Sequence, residues 1–189
     1  MLVNGAVGKM GRTTCDAVAA EDDLKLTAAV DIAFADAGAR DAFRMEGVAL
    51  YSSLADCREK EELDVAVDFT QPSAVFDNVI ACLKADLHCV VGTTGMSGSQ
   101  LTGIESETRS SGRNCFLAPN FAIGAVLMME VSTAVARYMP HCEIVELHHD
   151  QKLDAPSGTA LRTAELIAEA RLESPEPPGP EGHAARGVV

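Results

Sequence analysis

The sequence lacks the features that mark membrane, secreted and nucleic-acid-binding proteins. No apolar run is close to the length of about 18 residues that a membrane helix needs. The first residues, Leu2-Val3-Asn4-Gly5, do not show the basic and apolar pattern of a signal segment. Only 15 Lys and Arg face 28 Asp and Glu, and the formal net charge of −13 disfavours nucleic-acid binding. We therefore expect a cytoplasmic protein with no nucleic-acid or membrane partner, or a plastid protein if the source is a photosynthetic eukaryote.

Paired cysteines are also absent. The six cysteines lie singly along the chain, with no Cys-x-x-Cys pair and no histidine at metal-ligand spacing beside them. Cys89 and Cys115 sit in apolar runs, where cysteine behaves as a small buried hydrophobic residue. The pattern predicts reduced thiols, no disulfide framework and no metal site.

The first two thirds of the chain alternate between short apolar strands and helices. With 189 residues, 47% of them apolar, the chain is long enough to bury a core. Strands are predicted at Leu2–Val3 and at 26–30, 63–69, 88–91 and 114–117, and helices at 10–20, from Pro72, and at 97–110, while 31–49 is weakly patterned. This alternation predicts an α/β fold with a Rossmann-like, doubly wound parallel sheet.

The pattern changes between Phe121 and Ala125. A mostly apolar helix over 125–138 leads into 142–147, where alternating polar and apolar residues predict a strand with one solvated face in a different sheet. A helix over 159–170 and a proline-rich connector over 174–180 follow. We predict a dinucleotide-binding domain over 1–121 and an incomplete α+β domain for substrate binding and oligomerisation over 122–189.

A glycine loop and an acidic residue predict a dinucleotide site. Gly5, Gly8 and Gly11 have the G-x-x-G-x-x-G spacing between a strand and a helix, where backbone can approach a pyrophosphate. Asp31 follows Gly11 by 20 residues, at a strand end where a carboxylate accepts from ribose hydroxyls and disfavours a 2′-phosphate. This slightly favours NADH over NADPH, although Lys9 or Arg12 can reach a phosphate. The alternatives are an ordinary tight turn and a solvated strand-end acid.

Three further polar segments follow strand ends or open a helix. Gly92-Thr93-Thr94-Gly95 and Ala118-Pro119-Asn120-Phe121 follow two strands of the predicted sheet, where they form either turns or parts of a shared ligand crevice. His148, His149 and Lys152 supply groups for general acid catalysis, and Ser157-Gly158-Thr159 opens a helix that suits a carboxylate. Alternatively, the histidines point to opposite faces of a strand and the hydroxyls only cap the helix. Zinc is disfavoured because adjacent histidines rarely share one metal ion.

Together these motifs resemble the 4-hydroxy-tetrahydrodipicolinate reductase (dihydrodipicolinate reductase) family of the diaminopimelate route to lysine. The resemblance rests on 3–11, 67–70, 91–95, 118–121, 146–149 and 152–160. It implies hydride transfer from NADH or NADPH to a cyclic dicarboxylate, 4-hydroxy-tetrahydrodipicolinate, with loss of water to give tetrahydrodipicolinate.

The resemblance also implies roles by motif position. His148 is similar in position to the family's acid/base group, Lys152 to its proton donor, and His149, Ser157, Gly158 and Thr159 to its substrate contacts. The pyrophosphate would be held by Gly5, Ala6, Val7, Gly8, Lys9 and Met10, the adenosine ribose by Asp31, and the nicotinamide side by Gly92, Thr93, Thr94, Ala118, Pro119, Asn120 and Phe121.

The sequence departs from the family pattern at both ends. Family members have a slightly longer first strand, and after the segment that resembles Ala185-Arg186-Gly187 they continue through strands whose sheet assembles a homotetramer. We therefore expect either a reductase or a catalytically inactive nucleotide-binding fragment of one. The segment from His148 to Thr159 argues against another dehydrogenase of amino-acid metabolism.

Overall fold

The computed structural model describes residues 1–118, 120–139, 141–147 and 156–172. The chain divides into two compact units, Met1–Pro119 and Asn120–Val189.

The first unit is built on a six-stranded sheet in which every neighbouring pair of strands is parallel. The strands are β1 (Leu2–Asn4), β2 (Ala28–Val30), β3 (Ala49–Tyr51), β4 (Val65–Asp68), β5 (His88–Val91) and β6 (Cys115–Leu117). Their order is β3-β2-β1-β4-β5-β6, so the chain winds outward from β1 to one edge and then returns to the other side of β1. This order confirms the predicted Rossmann-like fold.

Helices follow most strands and bury both faces of the sheet. They are α1 (Lys9–Ala19), α2 (Ala37–Phe43), α3 (Leu54–Lys60), α4 (Val75–Lys84) and α5 (Gly98–Ser111), with a 3₁₀ turn at Ile32–Ala35. Leu2 packs in one core cluster with Val79 and Leu83, whereas its neighbour Val3 packs in the other with Phe34. Because successive strand residues point to opposite faces, these two clusters are the two sides of a doubly covered sheet.

The second unit contains α6 (Ile123–Ala136) and α7 (Gly158–Leu172), which pack against each other. Met129 and Ala136 of α6 are buried, as are Thr163, Ile167 and Ala170 of α7. The predicted strand over 142–147 is wrong: this segment belongs to no sheet, because the described residues of the unit supply no strand to pair with it. In the described ranges, no helix combines the length and hydropathy needed to cross a bilayer.

Candidate active site

A crevice lies at the carboxyl ends of the central strands, where the strand order reverses between β1 and β4. Parallel strands end at one edge of the sheet, and open α/β folds bind ligands there. The cavity has a volume of about 630 Å³, within the usual range for a small-molecule site. Its lining includes Asn4, Gly5, Gly8, Asp31, Ser52, Ser53, Phe69, Thr70 and Asn78.

The glycine loop is packed so tightly that two of its positions exclude a side chain. Gly5 has a φ of +79°, and a Cβ atom built on it would lie 2.5 Å from the Phe69 carbonyl oxygen. A Cβ atom on Gly11 would lie 2.0 Å from the Gly5 carbonyl oxygen. The lack of a side chain at these two positions lets the loop lie against the end of β4 and against the first turn of α1.

At the N-terminus of the helix that follows the loop, no side chain competes with a ligand for the backbone N–H groups. Gly8 is the N-cap of α1 and supplies no capping side chain, and the first turn contains no acidic residue. A helix N-terminus carries backbone N–H groups and partial positive charge, which together attract an anion. The loop and helix are therefore suited to a phosphate group.

Asp31, the second predicted element of the dinucleotide site, lies beside the glycine loop. Its Oδ2 accepts a hydrogen bond from Val7 N at 2.9 Å, and its Oδ1 accepts one from Ala33 N at 3.0 Å. Each carboxylate oxygen keeps acceptor capacity, so Asp31 can hold the loop and also accept from a hydroxyl group.

A buried carboxylate that our sequence analysis did not select lies at the end of β4. Asp68 is 5% exposed, and its oxygens accept five hydrogen bonds. Oδ2 accepts from Asn4 Nδ2 and Asn78 Nδ2, each at 3.0 Å. Oδ1 accepts from Thr70 N at 3.0 Å, Thr70 Oγ1 at 2.6 Å and Thr93 Oγ1 at 3.2 Å. The network joins the end of β1, the loops after β4 and β5, and α4.

The predicted loop after β5 also packs against β4. Gly92 N donates to Asp68 O at 3.0 Å, and a Cβ atom on Gly92 would lie 2.1 Å from Phe69 Cε1. Thr94 is exposed, and Ala118, after β6, donates its N–H to Val91 O at 3.0 Å. Of the predicted nicotinamide-side residues, Gly92 and Thr93 are therefore both hydrogen-bonded to Asp68, Gly92 through its backbone and Thr93 through its side chain.

In the second unit, the structure joins two of the predicted motifs. Asn120 Nδ2 donates to Thr159 Oγ1 at 3.2 Å, and Asn120 Oδ1 accepts from Ala122 N at 2.8 Å. Ser157 Oγ accepts from Ala160 N at 3.1 Å, as an N-cap does, while Ser157 N donates to Glu146 Oε2 at 2.7 Å. Phe121 is exposed. Pro119, His148, His149 and Lys152 lie outside the described residues.

Two family models match the chain. The model described as "Dihydrodipicolinate reductase, N-terminus" matches residues 1–121, and that described as "Dihydrodipicolinate reductase, C-terminus" matches residues 124–188. The chain belongs to the dihydrodipicolinate reductase family.

Curated relatives bear the corresponding enzyme name. The chain is 45% identical over 169 residues to the 4-hydroxy-tetrahydrodipicolinate reductase of Syntrophomonas wolfei, a match that covers 88% of this chain and 64% of the relative. It is 40% identical over 178 residues to that of Synechococcus elongatus, covering 89% of this chain and 65% of the relative. This dihydrodipicolinate reductase family member thus spans just under two thirds of the length of these relatives.

Solved structures agree with the family and the fold. The dipicolinate-bound dihydrodipicolinate reductase of Paenisporosarcina sp. TG-14 superposes with a TM-score of 0.77 at 36% identity, over 99% of this chain and 70% of that one. A WlbA dehydrogenase of Chromobacterium violaceum, in complex with NADH and UDP-GlcNAcA, gives a TM-score of 0.60 at 17% identity, over 72% of this chain and 39% of that one. The second likeness shows the fold alone.

Sequence reasoning missed part of the crevice in this family member. Ser52 and Ser53 line the cavity because they follow β3, a strand that was not predicted. Asp68 carried a usable signal, since it is an acidic residue near the end of the apolar run 63–69. An acidic residue at a strand end is either exposed to solvent or buried with hydrogen-bond donors. The donors of a buried one come from distant parts of the chain, so they are known only once the fold is known.

Proposed function

We propose that this chain performs the reductase reaction named for its relatives: reduction of 4-hydroxy-tetrahydrodipicolinate to tetrahydrodipicolinate with NADH or NADPH, in the diaminopimelate route to lysine. The observation that carries the proposal is the match of both family models, in order, along the chain. The switch-point crevice of the first unit supports it, because that crevice suits a dinucleotide.

The residues of the crevice fit a nicotinamide dinucleotide. Gly8 leaves the N-terminus of α1 open for the pyrophosphate, and the backbone from Gly5 to Met10 would hold it. Asp31 would accept from the adenosine ribose, and the Gly92–Thr94 and 118–121 segments would hold the nicotinamide side. When bound, the cofactor supplies the hydride, and the protein orients it.

NADH is the cofactor that we slightly favour. A carboxylate at Asp31 repels a 2′-phosphate, and its position beside the glycine loop supports this role. Arg12 donates to Phe43 O at 3.0 Å and forms an ion pair with Asp16 at 3.2 Å, so these contacts compete with a phosphate for its guanidinium. Lys9 is exposed and is the side chain that would favour NADPH.

We assign the substrate side to the segment around α7. Ser157, Gly158 and Thr159 lie at the N-terminus of α7, where backbone N–H groups suit a substrate carboxylate. His148 would exchange a proton as the acid/base group, Lys152 would donate one as the ring is reduced, and His149 would contact the substrate. A cationic neighbourhood fits a dianionic dicarboxylate.

The test is oxidation of NADH and of NADPH by the 189-residue chain, supplied with freshly generated 4-hydroxy-tetrahydrodipicolinate. We expect His148→Gln and Lys152→Ala each to lower turnover by about 10²-fold or more while the Kd for NADH stays nearly unchanged. His141→Gln, at an exposed histidine of the same unit, and Lys84→Ala, at an exposed lysine, are the matched controls and should retain full turnover.

The outcomes separate the two candidate functions. Turnover by the 189-residue chain supports a reductase. NADH binding without turnover, beside turnover by a version extended with the C-terminal segment of a relative, supports an inactive nucleotide-binding fragment instead. Loss of NADH binding in either the His148 or the Lys152 variant would contradict our division of the chain into cofactor and substrate regions.

Domain division, assembly and location are proposals as well. We propose that 1–121 is the dinucleotide-binding domain and 122–189 the substrate and oligomerisation domain, in a cytoplasmic homotetramer like that implied for the family. Light scattering of the purified chain during size exclusion measures the mass of the assembly, and a monomer would contradict the tetramer.

A further inference from the structure

We infer that Asp68 is a positioning residue for the cofactor, because its carboxylate fixes the glycine loop after β1 and the threonine loop after β5 in one arrangement. The inference rests on the proposed function and deepens it. Asp68 is not assigned a contact with the cofactor itself; it acts through the residues that it holds.

The five donors to Asp68 come from four separate segments. Asn4 is the residue before Gly5, and Thr93 is the residue after Gly92, so each donor is adjacent to a glycine of a predicted cofactor loop. Thr70 lies on the loop after β4, and Asn78 belongs to α4. One carboxylate therefore connects segments on both sides of the switch point between β1 and β4.

The buried carboxylate of Asp68 orients the groups that donate hydrogen bonds to it. A buried carboxylate must be fully hydrogen-bonded to offset the loss of water, and its bonds to neutral donors are stronger than bonds between neutral groups. All five donors here are amide or hydroxyl groups, so each is oriented toward Asp68. The side chains of Asn4 and Thr93 both donate to Asp68, which favours these orientations over others.

The glycines of both cofactor loops are packed closely against Phe69, the residue after Asp68. Gly5 lies against the carbonyl oxygen of Phe69 and Gly92 against its ring, at separations that exclude even a methyl group. Phe69 directly follows Asp68, so a displacement at the end of β4 moves both glycine contacts together. Small movements of this kind misplace a bound group and weaken its binding.

The test compares NADH and NADPH affinity in three variants of the full chain. Asp68→Asn keeps the shape of the side chain but replaces one acceptor oxygen with an NH₂ group, which faces donors in either orientation. Asp64→Asn makes the same charge change at an exposed position before β4. Val18→Ala truncates a 6%-exposed core residue near the C-terminus of α1, at the opposite end of that helix from the crevice, and destabilises the unit there.

We expect Asp68→Asn to raise the Kd for the dinucleotide by at least about tenfold, the equivalent of one lost charge-assisted hydrogen bond. The Kd is measured by titration calorimetry at a temperature where circular dichroism shows all variants folded. The two control variants should stay within about twofold of the unsubstituted chain, a difference below 0.5 kcal/mol at about 1.4 kcal/mol per tenfold. Since Val18→Ala also loses stability, its unchanged Kd separates positioning from a merely structural role.

An unchanged Kd in Asp68→Asn, or an equal loss of affinity in Val18→Ala, would overturn the inference. If Asp68→Asn does not fold, Asn78→Ala replaces it: it removes one of the two donors to Asp68 Oδ2 and should raise the Kd, whereas Asn114→Ala, the same change at an exposed residue, should leave the Kd in place. An unchanged Kd in Asn78→Ala would then overturn the inference. Failure of the unsubstituted chain to bind either dinucleotide would overturn the proposed cofactor site and this inference together.

Discussion

Gly11 is the third residue of α1, and the space for its side chain is occupied by the backbone of the glycine loop. The Gly5 carbonyl oxygen and the Ala6 Cα would lie 2.0 Å and 2.8 Å from a Cβ atom at this position. Backbone atoms cannot rotate away as the end of a flexible side chain can. The close approach of α1 to the loop therefore depends on glycine here.

Gly11→Ala should destabilise the protein even though alanine has the higher helix propensity. We expect a loss of about 1–3 kcal/mol from overpacking and weaker NADH binding, because the loop must move. Gly98→Ala, at a helical position with no atom within 4 Å of the new Cβ, should be neutral or stabilising by up to about 1 kcal/mol. Urea denaturation measures the change in the free energy of unfolding for each variant. An equal change in Gly11→Ala and Gly98→Ala would contradict the packing argument.

Local spacing explains which site residues could be predicted and which could not. The glycine loop and Asp31 follow a motif whose members are close in sequence, and the structure brings Val7 and Asp31 together. The partners of Asp68 are up to 64 residues away, at Asn4, and no periodicity relates these two positions. The role of Asp68 emerges only when strand order makes β1 and β4 neighbours.

At the scale of elements, the sequence predicted the buried strands and the longer helices, and it missed one half-buried strand and two seven-residue helices. The predicted parallel sheet is confirmed, but β3, α2 and α3 were not predicted. β3 is three residues long, like β1 and β2, but it is half-buried where they are buried, and it is defined by pairing with β2. For 142–147 the error was the reverse, since a strand was predicted and none is formed. The alternating pattern is clear, but the described residues contain no partner strand for this segment.

β3 and α3 are joined by a hydrogen bond that should be visible in an alkaline titration. Tyr51, the last residue of β3, donates its hydroxyl to Glu61 Oε1 at 2.5 Å, just after α3 ends. This bond to a carboxylate stabilises the neutral phenol and raises the pKa of Tyr51 to about 12. The stabilisation is therefore complete below about pH 10, the unfolded pKa, and is lost as the pH rises through 12.

Absorbance of tyrosinate near 295 nm measures this shift. The chain contains two tyrosines, so a Tyr138→Phe background leaves Tyr51 as the reporter. Glu61→Ala should move its titration from about pH 12 toward about pH 10. Glu62→Ala, at the exposed neighbouring residue, should leave it in place. If the titration midpoint of Tyr51 were the same with and without Glu61, the proposed interaction would be refuted.

Over the whole molecule, the six free thiols differ in burial and acidity. Burial raises the pKa of Cys15 to about 11 and that of Cys57 to about 11, and both residues are 0% exposed. Cys142 is exposed. Since the thiolate is the reactive species and must also be reached, the thiols should react in a defined order.

We expect Cys142 to react first with a disulfide reagent in the native protein, and Cys15 and Cys57 to react only on unfolding. Peptide mapping after brief labelling at pH 7.5 identifies the modified residue, and Cys142→Ser should remove the fast phase. Rapid native labelling of Cys15 would show that the first unit opens readily.

The central position of β1 has a consequence for the order in which a ribosome makes this protein. β1 leaves first, yet it pairs on one side with β4, whose residue Asp68 follows Asn4 by 64 positions. Until β4 has emerged, one of the two hydrogen-bonding edges of β1 has no partner strand. A contact between residues so far apart in sequence also forms slowly. The sheet around β1 must therefore remain incomplete until β4 has emerged, and the crevice takes shape only after Thr93 has also left the exit tunnel.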